Sequence, residues 1–128
     1  MEPSELELGR AGAEGEDPRP TAAAVAIARR IYRGRAEREA ILGPGLFADP
    51  AWDMLLDLTI CQGRRRLAVS AVCLGSRVAH ATGMRHLGLL LDQGLVERSP
   101  DPSDRRRTYI RLTSHGMAAM EAALMRFA

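Results

Sequence analysis

Residues 70–116 read SAVCLGSRVAHATGMRHLGLLLDQGLVERSPDPSDRRRTYIRLTSHG. Apolar residues recur here first at helical spacing, then in alternation, then at helical spacing again, with turn formers at each change. Ser70 is an N-cap candidate for a short helix to about Gly75. Ser76-Arg77-Val78 is a tight connection, and a second helix runs from about Ala79 to Gln93. Two helices joined by three or four residues make a helix-turn-helix. Val72, Cys73, Val78, Leu87, Leu90 and Leu91 supply the shared interior, which leaves His80, Ala81, Met84 and Arg85 on another face of the second helix, one that can enter a major groove. Gly94 stops that helix, Leu95 to Arg98 form a short strand, Pro100 to Asp104 carry turn chemistry, and Arg107 to Leu112 alternate as the partner strand. This hairpin is a wing. Thr113 or Ser114 then caps a last helix with Met117, Met120, Ala123 and Leu124 along one side.

Working upstream, Leu67-Ala68-Val69 reads as a very short strand, and Arg64, Arg65 and Arg66 as a solvated run after a helix that ends at Gly63. That helix starts at Asp49-Pro50, an N-cap followed by Pro at the first helical position, and turns Trp52, Leu55, Leu56, Thr59 and Ile60 to one side. Gly43-Pro44-Gly45 breaks an earlier helix, which Thr21 caps and which runs to about Leu42. Val25, Ile27, Ala28, Ile31, Ile41 and Leu42 recur along it at three- and four-residue steps, Gly34 softens its middle, and Arg29, Arg30, Arg33, Arg35 and Arg38 make a solvated face. Residues 1–20 are rich in Glu, Gly and Pro without apolar period and are expected to be disordered.

The fold expected is therefore mostly α with a small β-wing, a winged helix-turn-helix. Residues 1–20 form an acidic tail, 21–45 an N-terminal helix and linker available for dimerisation, and 46–128 the winged domain with a short C-terminal helix. A chain of 128 residues that is 46% hydrophobic suffices for one core, and 4% aromatic residues mean a core of Leu, Val, Ile, Ala and Met. The net charge of +2 is unevenly spread. Residues 1–20 carry six carboxylates against two arginines, a balance of −4, and the compensating excess of +6 falls within residues 64–111. All 18 basic residues are arginine, whose planar fork suits phosphate and guanine. An acidic tail on a basic body points toward nucleic acid.

Other chemistry is weakly supported. Cys61 and Cys73 lie in apolar surroundings without ligand spacing and read as core thiols, and His80, His86 and His115 show no metal pattern. No catalytic constellation is spaced for an enzyme, and no cofactor is implied. No apolar run is long enough to span a membrane and the N-terminus lacks a basic signal, so a cytoplasmic, nucleoid-associated protein is expected.

The run LLLDQGLVERSPDPSDRRRTYIRLTSHG, residues 89–116, resembles the wing signature of the MarR (multiple antibiotic resistance regulator) family of bacterial transcription factors, in a short variant. The matching parts are the leucine-rich helix end, Gly94-Leu95-Val96, the Asp101 to Arg106 tip, and Leu112-Thr113 leading to Gly116. The resemblance implies that Asp104 fixes the wing arginine by a salt bridge, that Arg106 reaches the minor groove, and that Arg105 and Arg107 meet phosphates. A thin β-ribbon tipped with arginine suits a narrow, strongly negative groove on physical grounds as well. On the second helix, Arg85 is placed for bidentate contact with guanine, His80 and Thr82 for phosphate or a single base edge, and Ala81 and Met84 for a thymine methyl. Arg65, Arg66, Ser70 and Arg77 are further phosphate candidates. Ala79, Ala81, Gly83 and Met84 stand where such helices often carry polar readers. Two function classes follow: a homodimeric, sequence-specific regulator binding double-stranded DNA, with or without a small-molecule effector, and a winged-helix module that binds a protein partner with DNA binding weak or lost.

Overall fold

Thr21 begins the first helix by accepting a hydrogen bond from the Ala24 amide on its hydroxyl, at 3.1 Å, which satisfies one of the unpaired donors of a helix start. A computed structural model describes residues 18–128, so residues 1–17 of the expected acidic tail lie outside the described residues. The elements are α1 (Ala22–Leu42), α2 (Pro50–Cys61), β1 (Leu67–Ala68), α3 (Val69–Gly75), α4 (His80–Asp92), β2 (Val96–Asp101), β3 (Asp104–Leu112) and α5 (Ser114–Met125). The strands form one antiparallel sheet in the order β1-β3-β2. Among the described residues no helix is long and apolar enough to cross a membrane.

One core joins these elements. Ala24, Ile27 and Ala28 of α1, Met54, Leu56 and Leu58 of α2, Val72 of α3, Leu87 and Leu90 of α4, Val96, Ile110 and Leu112 of the sheet, and Met120 and Leu124 of α5 are all buried in it. The helix expected over 21–42 therefore shares its interior with the winged segment. Its outer end does not: Ile41 and Leu42, expected on the apolar face, are exposed because α1 runs on past its contact with α2. Gly34 leaves the helix uninterrupted.

Several local expectations are revised by the chain's geometry. Ser70 is not the cap of α3; the helix begins one residue earlier, at Val69, and Ala68, already paired with Tyr109 as the end of β1, precedes it. Ser70 is thereby an exposed first-turn residue. Asp49 does precede Pro50 at the start of α2 but makes no side-chain capping bond. The wing ladder is longer than the turn chemistry suggests, since Pro100 and Asp101 remain paired and only Pro102 and Ser103 separate the strands. Thr113, rather than Ser114, caps α5, accepting from the Gly116 amide at 2.9 Å and donating to the Gly94 carbonyl at 2.6 Å. Gly116 is small for a reason: a Cβ there would overlap the Leu95 carbonyl oxygen.

The largest departure concerns arginines expected to face solvent. Asp53, in the first turn of α2, is only 1% exposed. Arg35 of α1 grips it with both ends of its fork, Nε at 2.6 Å from Oδ1 and NH2 at 3.2 Å from Oδ2. Arg77, from the connection between α3 and α4, reaches the same Oδ2 at 3.3 Å, stacks 4.8 Å from the centroid of Tyr32, and approaches Glu39 at 3.4 Å without hydrogen-bond alignment. The hydrogen bonds that Arg35 donates to Asp53 raise its already high pKa. Arg77, expected beside phosphate, is thus turned inward, and its backbone takes φ 61°, a left-handed conformation that costs a non-glycine residue about 1–2 kcal/mol.

Removing one partner of a buried ion pair strands the other charges, and the penalty is about 3–5 kcal/mol. Asp53→Ala is expected to lower unfolding stability by that order in urea denaturation, with Arg35→Ala costing less because Arg77 still neutralises the carboxylate. A loss under about 1 kcal/mol for Asp53→Ala would contradict this arrangement.

Candidate nucleic-acid interface

The connection held by Arg77 sets the angle between α3 and α4, and the packing of α4 decides which of its residues are outward. Gly83 is buried against α3: a Cβ in its place would sit 3.2 Å from Ser76 Oγ and 3.4 Å from Cys73 Cβ. Its position in the sequence as a missing polar reader is corrected by this contact; it is the surface on which the two helices close. His80, Ala81, Met84 and Arg85 consequently face outward together, at positions i, i+1, i+4 and i+5 of one helix face. Met84 is partly anchored, with Sδ 3.4 Å from Cys73 Sγ. Thr82 is half-buried at the edge of that face, and its carbonyl oxygen lies 3.0 Å from His86 Nδ1, which keeps His86 alongside the helix.

The wing is built around two aspartates. Asp101 Oδ1 accepts from the Ser103 amide and hydroxyl, each at 2.9 Å, while Tyr109 donates its hydroxyl to Oδ2 at 3.2 Å. These bonds pin the two-residue tip. Asp104 Oδ1 accepts from the Arg106 amide at 3.1 Å and from its Nε at 3.2 Å, and NH2 of the same guanidinium lies 3.5 Å from Oδ2. The expected Asp104–Arg106 salt bridge is present, and it holds a guanidinium that is otherwise 90% exposed. Arg105 and Arg107 are exposed on either side. Lower down the hairpin, Glu97 and Arg111 pair across the strands at 2.8 Å.

The pairing of the wing is irregular at its tip, between Pro100 and Asp101. Arg106 and Arg107, with Asp104 and Thr108 of β3, line an open hollow with Ala68, Val69 and Ser70 at the start of α3. Ser70 is therefore brought to the wing arginine. Arg65 and Arg66 are taken elsewhere: with Arg64 they rim a cleft of about 110 Å³ against the other face of the wing, formed by Pro100, Pro102, Tyr109 and Arg111. Arg66 lies 5.3 Å from the centroid of the Tyr109 ring. Of the thirteen residues singled out in the sequence, the structure brings Ser70 together with Asp104, Arg106 and Arg107, leaves His80, Ala81, Met84 and Arg85 exposed on α4, takes Arg65 and Arg66 to a separate cleft, and buries the head of Arg77.

Residues 56–116 match the family model described as a winged helix DNA-binding domain. That segment is a winged helix. Its matched span runs from the core of α2 to the Gly116 contact and includes every element of the helix-turn-helix and the wing. Similar solved structures are regulators of the MarR family. MepR from S. aureus in its DNA-binding conformation aligns over 80% of this winged-helix chain and 73% of its own, at TM-score 0.55 and 19% identity. A mutant MarR from E. coli complexed with operator DNA aligns over 79% and 72%, at 0.51 and 21%. The adhesin competence repressor AdcR from Streptococcus pyogenes aligns over 77% and 69%, at 0.52 and 14%. No curated protein sequence matches the chain. The MarR-like winged fold expected from the wing residues is the fold observed.

The two wing carboxyls are both held below the ordinary aspartate value of 3.8, Asp101 by its bonds from Ser103 and Asp104 by those from Arg106. A carboxyl whose folded pKa is depressed stabilises the folded turn fully above its unfolded value, and the contribution disappears as pH falls through the depressed value. Carboxyl-carbon NMR titration is expected to place both midpoints below 3.8, with Arg106→Ala raising that of Asp104 and leaving that of Asp101 in place. Unshifted midpoints would contradict the wing geometry.

Proposed function

We propose that the chain is a transcriptional regulator that binds double-stranded DNA, with α4 in the major groove and the wing at the adjacent minor groove. The observation that carries this reading is the pairing of an outward α4 face, His80, Ala81, Met84 and Arg85, with an Arg106 guanidinium held at its base by Asp104 and open at its end. An arginine so held loses little freedom on entering a narrow groove. Arg85 is the base reader in this scheme, forking onto guanine. His80 and, from the edge of the face, Thr82 meet phosphate or one base edge, while Ala81 and Met84 offer apolar contact to a thymine methyl. Arg105, Arg107 and Ser70 serve phosphates. The winged-helix match, and the fact that the similar MepR and MarR structures include complexes with DNA, support DNA binding.

The regulator acts as a homodimer in this reading. Helices α1 and α5 pack beside one another, joined by the Thr21 hydroxyl to Glu121 at 2.8 Å, and leave Ile41, Leu42, Met125 and Phe127 exposed near their ends. Two copies joined there present paired half-sites about 10 bp apart.

Fluorescence polarisation with duplex DNA tests the assignment. Affinity is expected to fall steeply with salt as phosphate counterions are released. Arg106→Ala should weaken all duplexes alike, whereas Arg85→Ala should cost about 1–3 kcal/mol on the preferred sequence and relax preference at one position. Unchanged binding in both variants would rule this mode out, and a chain that stays monomeric in sedimentation at every concentration would rule out the dimer.

A further inference from the structure

The cleft behind the wing is cationic, partly apolar and lies where the described chain begins. Arg64, Arg65 and Arg66 rim it, Leu58, Leu67 and Ile110 form part of its floor, and Pro100, Pro102 and Tyr109 make its wing-side wall. The N-terminal end of the described chain is tied to the same place. Arg19 lies across Gly63, so closely that a Cβ on Gly63 would sit 2.6 Å from its Nε, and Gly63 is itself part of the cleft. Two residues on, the Thr21 hydroxyl fastens the chain to Glu121. The described chain thus begins one residue from a side chain that lies on Gly63 of the cleft.

What precedes it is the opposite charge. Residues 1–17 hold Glu2, Glu5, Glu7, Glu14, Glu16 and Asp17 against Arg10 alone, a side-chain balance of −5. Glu5-Leu6-Glu7-Leu8 alternates carboxylates with leucines, the combination that a cleft with an arginine rim and an apolar floor accepts. A chain of 17 residues spans roughly 20–25 Å on average, and a tethered ligand at that range acts at millimolar effective concentration. We propose that the acidic segment 1–17 is the occupant of this cleft, its carboxylates on Arg64, Arg65 and Arg66 and Leu6 and Leu8 over the apolar floor. The segment then brings negative charge against the back of the wing, where it opposes the approach of phosphate.

Two measurements decide this. The first needs no DNA. Amide NMR spectra of the full chain are compared with those of a full-length variant carrying Glu→Gln at 2, 5, 7, 14 and 16 and Asp17→Asn. The amides of Gly63, Arg64, Arg65, Arg66 and Tyr109 are expected to differ, those of Ile27 and Leu56 to coincide, and the differences to vanish by about 0.5 M salt. A synthetic peptide of residues 1–17 added to the variant should restore the shifts. Coincident spectra at the cleft would overturn the proposal, and so would a peptide of scrambled order that restores them equally, since that is unspecific charge attraction. The second measurement rests on the DNA-binding reading: at low salt the variant is expected to bind a random-sequence duplex roughly three- to tenfold more tightly than the full chain. Equal affinities would overturn the opposition to phosphate. Absence of binding by both proteins would overturn the DNA-binding reading instead, with the docking decided by the spectra.

Discussion

The carboxylate of Asp53 is the point on which the arrangement of this winged helix depends. It is buried in the first turn of a largely apolar helix, and a charge there is tolerated because Arg35 and Arg77 both meet it. Arg35 comes from α1 and Arg77 from the turn between α3 and α4, so one buried oxygen pair joins three parts of the fold. The turn residue accepts a left-handed backbone to make this contact. The ionic contacts fix a geometry rather than add bulk stability, because desolvating the three groups offsets much of their mutual attraction. The geometry they fix is the entry angle of α4, and through it the face that α4 turns outward.

Small residues complete what the ion pair begins. Gly83 lets α4 close on α3, and Gly116 lets α5 seat on the Leu95 carbonyl, where Thr113 links the end of α4 to the start of α5. The wing, by contrast, is stabilised from within, by Asp101 on its tip and Asp104 on Arg106. Its base belongs to the core through Val96, Ile110 and Leu112, and its tip is exposed. A rigid helix face and a self-pinned, solvent-exposed hairpin are thus presented together, each kept in place by different chemistry.

The elements were legible because their signals are local. Thr21, Gly43-Pro44-Gly45, Asp49-Pro50 and Gly94 mark boundaries through caps and breakers, and alternation over residues 107–112 marks a strand whichever way its partners lie. The Asp104–Arg106 bridge was legible only through resemblance, and the sorting of Arg65 and Arg66 to the far side of the wing was not legible at all, since it depends on how a three-residue approach to β1 is aimed. The inward turn of Arg35 and Arg77 is hidden in the sequence for a related reason. Charge periodicity describes a helix face but not which carboxylate waits across the interface. One signal is present: Asp53 interrupts the apolar run of Trp52, Met54, Leu55 and Leu56, and a carboxylate buried among such residues requires a partner. Gly83 likewise has the look of a lost reader in the sequence, although glycine facing a neighbouring helix is a packing residue.

In the proposed function a helix face, oriented by a buried ion pair remote from it, and a wing tip, pinned by its own aspartates, meet duplex DNA as one surface. Amide chemical-shift mapping of the full chain on titration with a short duplex tests it directly. The account predicts that the largest shifts fall on His80 to Arg85 and on Ser103 to Arg107, with Arg35, Asp53 and Tyr32 unmoved. Saturable shifts centred anywhere else, or none at low salt, would contradict it.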